Sequence, residues 1–252
     1  IPSNAFRAAL YERPEDLVTD PASGTPLGRQ CTNGSIEPWP ARRELEASGE
    51  LEGTELVYVR DDLDAYTIQV NGSARLRMDD GELMYIGYAG KTDQPYTGLG
   101  HSVLDAGLIP EDKLSLRAIR RLYDKNPEQV NDLIANNASY VFFREYNGGN
   151  WPAGSLGVPV TAERSIATDK KIFPRGGVVL VDTTVRSLTG EKQTFTQFMT
   201  DQDTGGAIRA PGRADLFMGV GPTAGIKAGG QYAEGQLYYL FLKPNSIAIV
   251  QE

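Results

Sequence analysis

The sequence has almost no cysteine or histidine. Cys31 is its one cysteine, so no intrachain disulfide can form and no cysteine pair has metal-site spacing. His101 is its one histidine, which excludes a multi-histidine metal centre and leaves one candidate base for a nucleophilic triad. No run of about 18 apolar residues occurs, so nothing reads as a transmembrane helix. Positive charge is scarce as well: 25 Lys and Arg against 33 Asp and Glu give a net charge of −8. That balance argues against nucleic acid or an anionic membrane as the main partner. Carboxylates are then the side chains left to carry any catalysis.

What is present suits a globular chain. Hydrophobic residues make up 40% of the 252, enough for the core of one large or two ordinary domains. Ile1 is not an initiator residue, so the chain reads as a processed or trimmed product. Residues 1–50 read as irregular, with an apolar segment Phe6–Tyr11, a proline- and glycine-rich loop, and a short helix Arg42–Ser48 stopped by Gly49. Strands are predicted over 55–60, 65–70, 73–78 and 83–88, the last two joined at Asp79-Asp80-Gly81, as in a small barrel or sandwich. Helices are predicted over 98–106 with Gly107 as C-cap, over 116–124 with Ser115 as N-cap, and over 128–135 after Pro127. A strand follows at 139–144. The glycine-rich stretch 146–154 marks a domain boundary, and strands then dominate at 156–160, 165–168, 178–182, 195–199, 215–220 and 237–242.

The stretch from Asp201 to Gly221 is the most informative. It sets Asp201, Asp203 and Asp215 among glycines, Pro211, Arg209 and Arg213, a composition that no helix tolerates. Asp215, beside Ala214 and Leu216-Phe217, reads either as a desolvated general acid with a raised pKa or as a strand-end aspartate facing water. Asp203, before Thr204-Gly205-Gly206, reads chiefly as an acceptor of backbone N–H groups, and Asp169 reads in the same way. Asp201 reads as a surface acid. Tyr88-Ala89-Gly90-Lys91 and Tyr96 suit the apolar face of a sugar or, equally, the end of a hairpin. Gln69, Asn71, Gly72 and Ser73 offer amide and hydroxyl groups for a glycan or for a turn. Trp39 and Trp151 read as loop anchors.

Several motifs together resemble the membrane-bound lytic murein transglycosylase A family with its three-aspartate C-terminal domain. They are Gln69-Val70-Asn71-Gly72-Ser73, Tyr88-Ala89-Gly90-Lys91 with Pro95-Tyr96, Ser139–Arg144, Gly157-Val158-Pro159, Ser165–Asp169, Pro174-Arg175-Gly176, Asp203–Arg209 and Ala214–Phe217. The resemblance implies a mainly β fold: a double-psi β-barrel into which a smaller β-rich domain with a few helices is inserted, with a groove between them. Residues 1–11 would be the tail of the barrel's N-terminal part, 12–150 the inserted glycan-binding domain, and 151–252 the three-aspartate domain. It implies Asp215 as the catalytic acid and then base, Asp203 as an orienting residue and Asp169 as a tie within the barrel. Gln69, Asn71, Gly72, Ser73, Tyr88, Ala89, Gly90, Lys91, Tyr96, Gly205, Gly206 and Ala207 would bind substrate. The implied partner is a peptidoglycan strand, and the implied protein is a monomer that uses no metal or organic cofactor and binds no nucleic acid. Its implied place is the periplasm, at the outer membrane, held by a lipid anchor not present in this chain. The family's N-terminal segment that completes the barrel is absent from the sequence, and Asn71 stands where the family usually has Gln. A two-carboxylate glycan hydrolase and a non-catalytic wall-binding module are the alternatives.

Overall fold

The computed structural model describes residues 2–21, 24–206, 208–229, 231 and 233–243. The chain divides into two compact units, Ile1–Trp151 and Pro152–Glu252.

The first unit contains β1 (Ala8–Tyr11), β2 (Leu17–Thr19), β3 (Pro26–Gln30), β4 (Ile36–Glu37), α1 (Arg42–Ser48), β5 (Glu55–Val59), α2 (Asp62–Asn71), β6 (Ser73–Arg77), β7 (Leu83–Lys91), α3 (Leu99–Asp105), α4 (Leu116–Lys125), α5 (Pro127–Ile134) and β8 (Val141–Tyr146). Its strands form three small sheets, β1-β5, β2-β3-β4 and β6-β7-β8, rather than one small barrel or sandwich. The opening fifty residues are thus less irregular than expected: β1 pairs with β5, and Leu10 is fully buried beside Val57, Ile86 and Phe143.

Residues 65–70 are helical, not a strand. Six residues of alternating polarity fit either period, and the caps decide. The Asp61 side chain accepts from the Asp64 N–H at 2.9 Å, and Gly72, at φ 73°, donates its N–H to the Ile68 carbonyl. Leu63 and Tyr66 then share one helix face and pack on Val103, Val130 and Ile134 from α3 and α5. The three predicted helices form close to their expected limits, α4 capped by Ser115 and α5 opening at Pro127. β8 begins two residues later than expected.

The second unit contains β9 (Ser165–Ala167), β10 (Val178–Arg186), β11 (Lys192–Asp203), β12 (Asp215–Leu216), α6 (Pro222–Gly229) and β13 (Gly235–Leu240). They form one sheet in the order β12-β9-β11-β10-β13. β9 runs parallel to β11, and the other pairs are antiparallel. Ile166, Val179, Val181, Phe195 and Met199 pack together beneath it. Residues 156–160 contribute only an isolated bridge, Ala153 with Pro159, and the strand expected over 215–220 stops at Leu216. Among the described residues the sheet is open, with β12 and β13 at its edges; no closed barrel is found. The fold is mainly β with a few helices.

Candidate active site

The sheet of the second unit brings together acids that lie far apart in sequence. Ala167 on β9 is paired with Asp203 on one side and with Asp215 on the other. Adjacent strands lie about 4.8 Å apart, so the two aspartate backbones sit roughly 10 Å from each other across β9. Residues directly opposite in a sheet share a face, which gives both carboxyls the face of Ala167. Asp169 follows two residues beyond Ala167.

A bulge makes this possible. On β11, Asp201 pairs with Ile166 and Asp203 with Ala167, so Gln202 is the extra residue. In a regular strand, Asp201 and Asp203 would point to the same face. The bulge re-aims one of them. Asp201 turns to the buried side with Ile166, and Asp203 turns to the side of Asp215.

Asp215 is half exposed, and its carboxylate pairs with Arg213, Nε to Oδ1 at 3.2 Å. Of the two readings of Asp215, the strand-end aspartate facing water matches this placement: Leu216 and Ala214 pack toward the core of the sheet, while the acid stands on the edge strand. Phe217 and Met218, next along the chain, help line a cavity of about 450 Å³ with Val160, Ala224 and Lys227.

Asp203 accepts the Ser155 N–H at 2.9 Å. Burial pushes its carboxyl above the usual carboxylate range, against the pull of the Thr204 and Ser155 N–H groups and of Lys170. Gly154 makes this contact possible, because a Cβ there would stand 2.6 Å from the Gln202 carbonyl. Gly154→Ala must therefore shift the Ser155 segment. We expect it to destabilise the second unit by about 1–3 kcal/mol, as overpacking does, with the loss visible as a lowered urea midpoint.

Asp169 is 6% exposed, and its oxygens accept the backbone N–H groups of Lys171 and Ala210, both at 3.0 Å. The Lys171 N–H, then that of Ala210 and the nearby Arg209 and Lys171 charges hold its pKa below the usual carboxylate value. Its stabilising effect is complete above the unfolded value of about 3.9 and is lost as pH falls through the lower folded value. Asp203 has the opposite sign, its raised pKa weakening the fold as pH rises. Comparing wild type with Asp169→Asn isolates the former: their urea midpoints should differ by a steady amount above about pH 5, and the gap should narrow as pH falls below the unfolded value of about 3.9. A gap that does not narrow would overturn this assignment. The Ala210 contact also pins a non-glycine residue at φ 71°. Gly205 and Gly206 form the turn before it, with the Ile208 N–H on the Gly205 carbonyl and Arg209 on that of Gly206. Ala207 lies outside the described residues.

Asp201 is not a surface acid. It is fully buried, and its carboxylate accepts from Lys170, from Thr168 Oγ1 at 2.6 Å and from Tyr239 OH at 2.6 Å. Nothing in its local sequence distinguishes it from an exposed acid. Lys170, one residue after Asp169, was the available hint.

The residues singled out in the first unit fall on α2, β6, β7 and the approach to α3. Gln69 is buried, and its Oε1 accepts from Arg42. Asn71 ends α2, Gly72 caps it, and Ser73 opens β6 opposite Gly87. Tyr88, 41% exposed, and Ala89, Gly90 and Lys91 belong to β7, where a Cβ at Gly90 would stand 2.6 Å from the end of the Leu17 side chain. Tyr96 and Asn71 line a cavity of about 240 Å³ with Tyr66, Val70 and Leu116. Trp39 is buried, and Trp151 donates to the Ile86 carbonyl and packs its ring at a tilt of 58° against Tyr85, so both are anchors. Among the described residues, no group of three or more His, Cys, Asp or Glu is arranged to hold a metal, and no helix is long and apolar enough to cross a membrane.

A β-rich chain of two units, the second carrying three aspartates around one short strand, defines the class. Residues 1–144 match the family model of the MltA specific insert domain, and residues 164–241 match that of the 3D domain. The chain belongs to the membrane-bound lytic murein transglycosylase A family, as its motifs implied. The curated relative from Vibrio cholerae, so named, is 30% identical over 239 residues, covering 93% of this chain. This chain spans 62% of that relative's length. A crystal structure of the membrane-bound lytic murein transglycosylase from Agrobacterium tumefaciens is 30% identical with a TM-score of 0.80, over 95% of this chain and 69% of that one. Escherichia coli MltA with bound chitohexaose is 25% identical with a TM-score of 0.76, over 95% of this chain and 67% of that one.

Proposed function

We propose that this chain carries the catalytic and glycan-binding machinery of a peptidoglycan lytic transglycosylase. The observation that carries the reading is the placing of Asp203 and Asp215 on either side of Ala167, with a cavity beginning two residues beyond Asp215. The relatives' names supply the reaction class, and chitohexaose, bound by the E. coli relative, is a glycan.

In this reading the Asp215 carboxyl donates its proton to the oxygen joining N-acetylmuramic acid to N-acetylglucosamine. The C1–O4 bond breaks and leaves an oxocarbenium-like centre. The muramic C6 hydroxyl attacks C1 and forms the 1,6-anhydro ring, and its proton returns to the Asp215 carboxylate. No water is consumed, and the acid is regenerated, unlike the two-carboxylate hydrolytic scheme. Because Arg213 sits on that carboxylate, glycan binding must displace the guanidinium before the proton can be delivered. Asp203 orients and polarises the site, and Asp169 holds the 204–210 turn. Asn71, Gly72, Ser73, Tyr88, Ala89, Gly90, Lys91, Tyr96, Gly205, Gly206 and Ala207 contact glycan. Gln69 supports them through Arg42.

The first unit is read as the glycan-binding insert and the second as the three-aspartate domain. The parallel β9–β11 pair within an otherwise antiparallel sheet supports a double-psi barrel. The relatives' name, membrane-bound, supports attachment to the cell envelope. The periplasmic side, the monomeric state and a lipid anchor are part of the proposed reading and rest on the family resemblance alone. The test is digestion of purified sacculi followed by mass analysis. Products ending in 1,6-anhydro-N-acetylmuramic acid support the reading. Reducing ends would assign a hydrolase instead, and glycan binding without any product a wall-binding module.

A further inference from the structure

The most deeply buried charge in the second unit plays no part in that chemistry. Asp201 is fully buried and Lys170 nearly so, and the two form an ion pair. A buried pair brings little net stability, because desolvating both groups offsets their attraction. Its placement is more informative than its energy. Lys170 and Thr168, the two residues that flank Asp169, both bind the Asp201 carboxylate, and Lys170 also donates to Thr168 Oγ1 at 2.9 Å. Tyr239 reaches the same carboxylate from β13. The Asp201 backbone is held from the far side by Gly177 and Gly176 at 2.8 and 2.9 Å. Asp203 stands two residues further on, across the bulge, and the Thr168 N–H meets its carbonyl at 3.2 Å. One buried carboxylate therefore holds both neighbours of Asp169 and the strand that bears Asp203.

We propose that Asp201 and Lys170 are positioning residues for the reaction, an internal clamp that sets the Gln202 bulge and so aims Asp203 and Asp169 at the face that Asp215 shares. This rests on the transglycosylase reading for its catalytic consequence and on geometry alone for the clamp. The charges that act on the Asp203 carboxyl through the strand are Lys170 and Asp201, with opposite effects on it, and Asp215 lies across β9. Neutralising Asp201 leaves Lys170 to act unopposed on Asp203.

The test uses the full chain and two readouts. The Asp203 carboxyl carbon is titrated by NMR in wild type, Asp201→Asn and Asp201→Asn/Lys170→Met. Its midpoint should fall in Asp201→Asn and rise again in the double variant. Anhydro-product release is measured alongside. Asp201→Asn should lower kcat by about ten- to a hundredfold with KM within about twofold, as a misplaced catalytic constellation does. Tyr239→Phe removes one hydroxyl donor with no change of charge and should lower kcat in the same sense by a smaller factor. An Asp203 midpoint that stays in place in both Asp201 variants, or a kcat that is unchanged, overturns the clamp. If wild type releases no anhydro product, the transglycosylase reading fails, while the titration still decides whether Asp201 and Lys170 set the state of Asp203.

Discussion

Asp215→Asn is expected to abolish anhydro-product release and leave the fold unchanged. A positioned general acid–base contributes about 10²- to 10⁴-fold to a rate, and here one carboxyl serves both steps, so the loss should fall at the upper end of that range. The amide is nearly isosteric with the carboxyl but can neither give up nor recover a proton at the glycosidic oxygen. Stability should hardly move. Asp215 lies on a two-residue edge strand, about half exposed, and its pairing with Arg213 is of the solvent-exposed kind that is worth about 0–1 kcal/mol. A loss of rate with an unchanged urea midpoint would place Asp215 in the chemistry. Retention of more than about a tenth of the wild-type rate would remove it, since general acid–base catalysis gives at least 10²-fold. Asp203→Asn serves as the comparison. It leaves the proton donor in place and should reduce the rate less than Asp215→Asn.

The second large effect is on the stability of the first unit. Arg42→Ala should destabilise it by about 3–5 kcal/mol, the cost of breaking a buried charge network by removing one partner. Arg42 is only 2% exposed, and its guanidinium donates to the Asn137 carbonyl at 3.0 Å, the Ser139 carbonyl at 2.8 Å, Gln69 and Glu46. It also lies 4.6 Å from the centre of the Tyr140 ring. Truncation leaves two backbone carbonyls and an amide oxygen buried without donors, and burial already pushes the Glu46 carboxyl up against the pull of Arg42. Arg42→Lys should recover only part of the loss, because one ammonium cannot span four acceptors as a planar fork does. The measurement is chemical unfolding followed by the fluorescence of Trp39, which packs in the same region as Leu45 of α1. If glycan binding depends on the α2–β6 junction, affinity for chitooligosaccharide should fall along with stability, since Gln69 loses its anchor.

Much of the organisation was legible along the chain. Ser115 and Pro127 marked two helix starts because caps act over three or four residues. Asp79-Asp80-Gly81 marked the β6–β7 turn. Residues 65–70 form a helix where the sequence suggests a strand, because six alternating residues satisfy both a strand and a helix face. The choice rested on Asp61 and Gly72, which lie outside that window.

Local sequence determined which residues can turn, cap and pair, and its motifs determined the family. Tertiary structure alone decided where the acids stand. Asp201 and Asp203 are two residues apart, so strand periodicity predicts one face for both, yet a single inserted residue sends one into the core and the other toward Asp215. That outcome depends on Lys170, Thr168 and Tyr239, which stand more than thirty residues away in sequence and meet Asp201 only when β9, β11 and β13 assemble. A carboxylate can stay charged in a core only where such donors converge on it, and no property of its immediate neighbours in sequence records that convergence.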